Sequence, residues 1–361
     1  MPDIPLTIVD LPIFGVLAAT GFLLAGVLAE RTARDDNAPE RHFVMLTAVL
    51  FAAVMLAASW ITSYATRPTV TGVKLPSSGM LLMNGGVWFA VFAAGCTIVA
   101  IRLGLGTLRV AWIHARATEA PPRIRAITAQ IRTDLNIHEP VRVVLSHRCQ
   151  SPFVSGVVSS TIVLPADADA LSHDALTAIL SHELAHVLRG DTRAQLGCQA
   201  ATVLLWWNPL LWVALRRINL LREIACDDIA TWRNREVDDY IDLLTGFARL
   251  SRAASTGLAG IASGLLGLVS MGLAGVGLTG LGLSQIRMAQ PATLSERIDA
   301  IHAETTRSTR PWPRLLPSAA TRADVIWTCA LSLVLLTIVD LIVLAAVTPE
   351  LRVLLLMGQA Y

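Results

Sequence analysis

Residues 172–190 read SHDALTAILSHELAHVLRG, and the rest of the chain is best understood outward from them. Ser172 is a good N-cap, Asp174 falls in the first turn and Gly190 supplies a stop, so the spacing predicts one helix. On it His182 and His186, at i and i+4, project from one face about a turn apart, where two imidazoles can share a zinc ion. Glu183, beside the first of them, can take a proton from a metal-bound water and return it to a leaving amine. With 8 His in 361 residues, chance would produce this pattern roughly 0.005 times, so the motif carries weight before context is added.

A catalytic zinc needs a third protein ligand and keeps a fourth position for water. Glu223 is the candidate, in the helical run Arg222-Glu223-Ile224-Ala225-Cys226-Asp227-Asp228. Asp227 shares its face at i+4 and is suited to hold a ligand histidine by its second ring nitrogen. Asp191 is read as fixing the end of the histidine helix rather than reacting, and Arg297 and Tyr240 are read first as packing or surface residues, with stabilisation of an oxyanion as the alternative. Cys96, Cys149, Cys198, Cys226 and Cys329 form no C-x-x-C pair, which indicates neither a disulfide framework nor a cysteine zinc site.

Upstream of this helix, β-branched runs at 141–145, 153–158 and 161–164, closed by Pro165, predict a small sheet. A helical pattern over 124–135 with Ile127, Ile131 and Leu135 on one face precedes it, behind a Pro-containing connector at 118–122.

The chain as a whole is 54% hydrophobic and 16% charged, too apolar for a purely soluble protein. Uncharged stretches of about 19 residues before Glu30, about 23 after Phe43 and about 27 before Arg102 are each long enough to cross a bilayer. A fourth span is expected at 325–348, where Asp340 is either functional or simply packed and protonated. The first stretch lacks a basic n-region and an A-x-A-like cleavage site, so it is expected to be a retained span. No Lys or Arg precedes it, whereas Arg31, Arg34 and Arg41 follow it and a dense series from Arg102 through Arg132 follows the third. That asymmetry puts the N-terminus and the loop at 67–79 outside and the residues after the third span in the cytoplasm. A net charge of +2 does not point to nucleic acid.

Two further apolar runs are not simple spans. The run at 196–220 is broken by Asn208-Pro209 and carries Trp206, Trp207 and Trp212, which suits an interfacial or core helix pair. A single crossing there would place His186 and Glu223 about 30 Å apart, whereas ligands must sit about 2 Å from one metal. The glycine-rich run at 256–283, with Gly260-x-x-x-Gly264, is expected to be a hairpin, an interfacial segment or a loop, because a full crossing would carry the basic segment 287–322 outside.

Ordered blocks then reveal a family. Ser151-Pro152-Phe153 with Ile162-Val163-Leu164-Pro165, the His182 helix through Asp191, Trp207-Asn208-Pro209-Leu210-Leu211-Trp212, Glu223-Ile224-Ala225-Cys226-Asp227 and Leu294-Ser295-Glu296-Arg297-Ile298 follow in sequence. In these the chain resembles, over roughly residues 10–348, the BlaR/MecR-type membrane metallopeptidases, gluzincins that sense β-lactams in some bacteria. HtpX-type membrane proteases are more distant relatives. The resemblance implies Zn2+ held by His182, His186 and Glu223, Glu183 as general base, Asp227 in support, and the strand at 153–158 as the edge to which a peptide adds. The sensors carry a penicillin-binding domain after the last span. Here only 349–361 follow it, so any signal is expected to enter through the outer loop, the spans or a partner.

The expected fold is therefore a mostly α membrane protein. Residues 1–110 would form three transmembrane helices, 111–305 a cytoplasmic α+β gluzincin-type zinc metallopeptidase domain, and 306–361 a linker, a fourth transmembrane helix and a short tail. The expected activity is that of a multi-pass cell-membrane zinc endopeptidase cleaving a cytoplasmic or membrane-proximal protein, with a transcriptional repressor suggested by the resemblance. Quality control of membrane proteins is the enzymatic alternative, and a non-catalytic receptor or scaffold the other. Expected partners are the protein substrate, the lipid bilayer and, as an open option, a second copy in a homodimer, with no direct contact to nucleic acid.

Overall fold

A computed structural model of the chain describes residues 13–32, 38–65, 85–149, 151–234, 240–242, 244–246, 286–287 and 294–305. The glycine-rich run 256–283, the loop 67–79, the stretch 325–348 with Asp340, and Cys329 lie outside them.

Three apolar helices come first: α1 (Ile13–Thr32), α2 (Ala38–Ala65) and α3 (Gly85–Ala115). Within them Ala38–Ile61 and Ala90–Ala115 are long and apolar enough to cross a bilayer. Gly15 lies against Ser59 and Gly26 against Ala48, so α1 and α2 run antiparallel with their backbones close together. Along α3, Ile98, Ile101, Leu105 and Leu108 are exposed. The helix continues unbroken past residue 110 and its end docks on a sheet, Ile113 packing with Val144, Phe153 and Val163.

That sheet has five short strands, β1 (Thr118–Glu119), β2 (Val141–Ser146), β3 (Phe153–Ser155), β4 (Ser160–Pro165) and β5 (Ile286–Arg287), in the order β1-β2-β4-β3-β5. Among the described strands β2 and β4 pair in parallel and the other neighbours antiparallel. Strand alternation divides the side chains: Val144, Val163 and Phe153 face the end of α3, while Val143, Leu145, Ile162, Leu164 and Val154 face the main core. The strand expected over 153–158 stops at Ser155, where Gly156 turns the backbone with φ 99°. The expectation that this strand is a sheet edge is also overturned, because Phe153 and Val154 pair with Arg287 and Ile286. The hydrogen-bonding groups of β3 are satisfied on both sides at these residues, by a strand too short to leave a periodic trace in the sequence.

Against the core face pack α4 (Pro122–Asp134), opened by Pro121-Pro122 and burying Ile124, Ile127 and Ile131, and α5 (His173–Arg189). The Ser172 hydroxyl accepts from the Ala175 N–H at 3.1 Å and caps α5. At its other end Gly190 adopts the left-handed φ of 69° that a β-carbon would resist, and α6 (Asp191–Leu205) starts at the next residue.

The Trp-rich run is a helical hairpin. α6 rises, the chain reverses at Trp206–Asn208, and α7 (Pro209–Asn234) returns. Asn208 Oδ1 accepts from the Leu210 N–H at 3.0 Å and Pro209 occupies the first turn, a capped start for α7. The hairpin packs on α1 and α2 through Cys198, Ala201, Leu205, Leu211, Ala214, Leu215 and Ile218. At its tip Asn208 Nδ2 donates to Thr20 Oγ1 at 3.0 Å. Thr20 lies about 18 Å along α1 from Thr32, at about 1.5 Å per residue. The Trp206 ring lies where any side chain at Gly95 of α3 would have to go. α8 (Leu294–Thr305) closes over α7.

Candidate metal site

The hairpin performs the reversal that a shared ion would require: α6 leads away from His186 and α7 brings Glu223 back beside it. His182, Glu183, His186 and Glu223 are all fully buried. The two imidazole rings meet edge to face with centroids 4.9 Å apart. His182 Nε2 is 3.6 Å from Glu223 Oε2, and His186 Nε2 is 3.9 Å from Glu223 Oε1. One ligand atom from each of the three lies within 4.8 Å of the others. Both Nε2 atoms and both oxygens of Glu183 are buried without a hydrogen-bond partner, and Glu223 Oε2 has no hydrogen bond but an ion pair with Arg297 Nη1 at 3.3 Å. Unsatisfied polar atoms of this kind are costly unless something else binds them, and their chemistry, imidazole nitrogen and carboxylate oxygen, suits a divalent cation.

The opposite nitrogens are committed backwards. His182 Nδ1 sits 3.0 Å from both Asp227 Oδ1 and the Tyr240 hydroxyl. His186 Nδ1 sits 2.9 Å from Asp191 Oδ2. Cys226 Sγ lies 3.2 Å from the same nitrogen. Asp191 thus does more than end a helix: the Gly190 turn swings its carboxylate onto His186, with Arg189 Nε 3.3 Å away on the other side. The signal for it in the sequence is the Gly-Asp pair directly after the helix that carries both histidines. A second group of potential donors, His186, Asp191 and Cys226, shares His186 with the first. The four described cysteines form no disulfide with one another.

Arg297 and Tyr240 are packing residues, the first of the two readings of them. Both are buried beside Asp227. Arg297 spans Asp227, Nε to Oδ2 at 2.7 Å and Nη2 to Oδ1 at 2.6 Å. Its Nη1 is 3.3 Å from Glu223 Oε2. The Tyr240 hydroxyl donates to Asp227 Oδ1 at 2.7 Å.

The electrostatics follow from burial and these pairings. Burial pushes Glu183 up to about 8, against the opposing pull of the His182 charge and with reinforcement from Glu223. Burial favours a neutral His182, but the Asp227 and Glu223 carboxylates outweigh it and raise the imidazole to about 9. At His186 burial prevails and lowers it to about 4, with Asp191 offsetting part of the effect. Burial also opposes charge on Glu223 and Asp227, yet His182 and Arg297 hold both carboxyls well below the usual range.

The sequence of the chain matches the BlaR1 peptidase M56 family over residues 77–259, just over half its length, a stretch that holds every residue of the cluster except Arg297. The chain belongs to this family. M56 peptidases are metallopeptidases, so the family and the two apolar helices make it a membrane-associated peptidase of the BlaR1 type. Among known proteins it is similar to the Regulatory protein BlaR1 of Bacillus licheniformis, 25% identical over 146 residues. That match takes in 40% of this chain and 24% of the relative, so the alignment spans about a quarter of the relative's length.

Proposed function

We propose that this M56 peptidase is a multi-pass zinc endopeptidase whose catalytic residues face the cytoplasm and whose substrate is a regulatory protein, with a transcriptional repressor the leading candidate. The observation that carries the reading is the convergence on one buried point of two Nε2 atoms without hydrogen-bond partners and the Glu223 carboxylate, with both oxygens of Glu183 equally without hydrogen bonds on the histidine helix. His182, His186 and Glu223 would hold the ion. Zinc bound there supplies a Lewis acid that acidifies a coordinated water and polarises a peptide carbonyl. Glu183 supplies the base: a carboxylate lifted toward neutrality by burial is matched to taking a proton and giving it back at pH 7. Asp227 and Asp191 hold the two imidazoles by Nδ1 so that Nε2 is presented to the ion.

The cytoplasmic orientation is supported by charge. Arg217 of α7 pairs at 2.7 Å with Glu30, next to Arg31 at the end of α1, so the catalytic residues share the side of the helices that carries the arginines. α1 is then a third span, and 325–348 a fourth. The word regulatory in the name of the relative favours a signalling role over general quality control.

Glu183→Gln is the decisive variant. It should retain one zinc per chain and lose about 10² to 10⁴ in cleavage rate, measured by metal analysis and peptide-bond hydrolysis on the purified full chain. Cleavage at the parent rate would sink the mechanism. Proteins cleaved in cells carrying the parent but not this variant then identify the substrate class: one soluble regulator supports signalling, and many damaged membrane proteins support quality control.

A further inference from the structure

We infer that Arg297 is a positioning residue for the metal site, fixing the carboxylates of Glu223 and Asp227 and, through Asp227, the ring of His182. The inference rests on the zinc reading above and adds a residue outside the family match, which ends at 259.

Arg297 heads the largest side chains with essentially no exposure, so its charge is out of water and must be answered locally. Its Nε and Nη2 take the two oxygens of Asp227 in the two-pronged arrangement that suits a planar guanidinium, and Nη1 reaches Glu223 Oε2 at 3.3 Å. Glu223 and Asp227 lie one turn apart on the same face of α7, both fully buried. Two desolvated carboxylates so placed repel, and without a cation between them one would turn away. Arg297 removes that escape. With Glu223 aimed, and Asp227 held as an acceptor for His182 Nδ1, the ligand set is arranged before the ion arrives. Buried ion pairs of this sort add little to stability by themselves, which favours a role in geometry. The site is reinforced from two sides. Tyr240 donates to the same Asp227 oxygen, and Arg222 Nη2 holds Glu223 Oε1 at 3.1 Å.

The test is zinc affinity of the full-length protein in detergent, by competition with a chromophoric chelator, for the parent, Arg297→Met, Asp227→Asn, their double variant and Arg297→Lys. Arg297→Met is expected to weaken zinc binding by about 10- to 100-fold, the usual effect of removing a partner behind a ligand. Arg297→Lys should fall between it and the parent, because a point charge cannot span both Asp227 oxygens and Glu223. The double variant should lose less than the product of the two single losses, since both act along one path. A residue that only held the fold would lower the melting temperature of the metal-free protein, leave the zinc Kd alone and combine independently with Asp227→Asn. A parent-like Kd in Arg297→Met, or losses that multiply in the double variant, would overturn the inference. If the methionine variant fails to fold, a parent-like Kd in Arg297→Lys overturns it instead. A parent protein that takes up no zinc would overturn the zinc reading itself and this inference with it, whereas a parent that binds zinc no better than Arg297→Met overturns only the role of Arg297.

Discussion

Each imidazole of the site uses one nitrogen for a carboxylate behind it and leaves the other bare, and the two carboxylates are held differently. Asp227 is ringed by Arg297, Tyr240 and His182. Asp191 has His186, Arg189 and the Cys226 thiol around it. Asp191→Asn keeps the shape of that side chain but withdraws the charge that makes it a strong acceptor. Zinc affinity should drop by about 10- to 100-fold, read by chelator competition, with Asp174→Asn in the exposed first turn of α5 as a control that leaves it unchanged. An unaltered Kd in Asp191→Asn would mean that His186 is positioned by packing alone. At this scale the sequence was most readable where helical spacing did the work: His182 to His186 and Glu223 to Asp227 are both i and i+4, so each pair shares a face whatever the tertiary structure. It was least readable where a side chain turns backwards. Nothing in the local pattern around Tyr240 or Arg297 says that each points at Asp227 and not at a substrate.

Among the elements, the α6–α7 hairpin decides whether a site can exist, because only a reversal returns Glu223 to the histidines. Asn208-Pro209 made that reversal legible: a proline that cannot continue α6 can still start α7, and the asparagine before it caps the new helix. The depth of the hairpin was not legible, since the Asn208 bond to Thr20 joins residues far apart in the chain. Nor were β1 and β5, because two-residue strands show no alternation. Asn208 has two functions that substitution can separate. Asn208→Ala removes the cap, about 1 kcal/mol, together with the Thr20 bond, about 0.5–1.5 kcal/mol. Thr20→Val keeps the cap and removes the second, together with the hydroxyl's 2.7 Å bond to the Val16 carbonyl within α1, a back-bond of little worth to a helix. Thermal unfolding in detergent should rank Asn208→Ala below Thr20→Val and both below the parent. Equal melting temperatures for the two variants would show that the cap contributes nothing, and a parent-like Thr20→Val would show that the tip is not anchored to α1.

Across the whole molecule, the apolar helices and the metal site form one packed body joined at Glu30. Its side chain is 1% exposed and pairs with Arg41 of α2 and with Arg217 of α7, which in turn reaches Glu296 on α8 at 3.2 Å. Glu296 precedes Arg297, and Ala38 at the start of α2 packs against Leu221 and Ala225, which flank Glu223. The ends of α1 and α2 thus press directly on the helix that carries the third candidate ligand, with no linker to absorb their movement. Glu30→Gln leaves two arginines facing a neutral amide. Because Arg217 remains about a third exposed, the loss should be well short of that for a fully buried pair, about 1–2 kcal/mol. Its location is more telling than its size. If Glu30 ties the apolar helices to the candidate metal site, hydrogen exchange in Glu30→Gln should rise together at the start of α2, in α7 around Arg217 and in α8, while the sheet and α4, on the far side of the core, keep their protection. Faster exchange confined to α1 and the start of α2 would show that the two parts move independently.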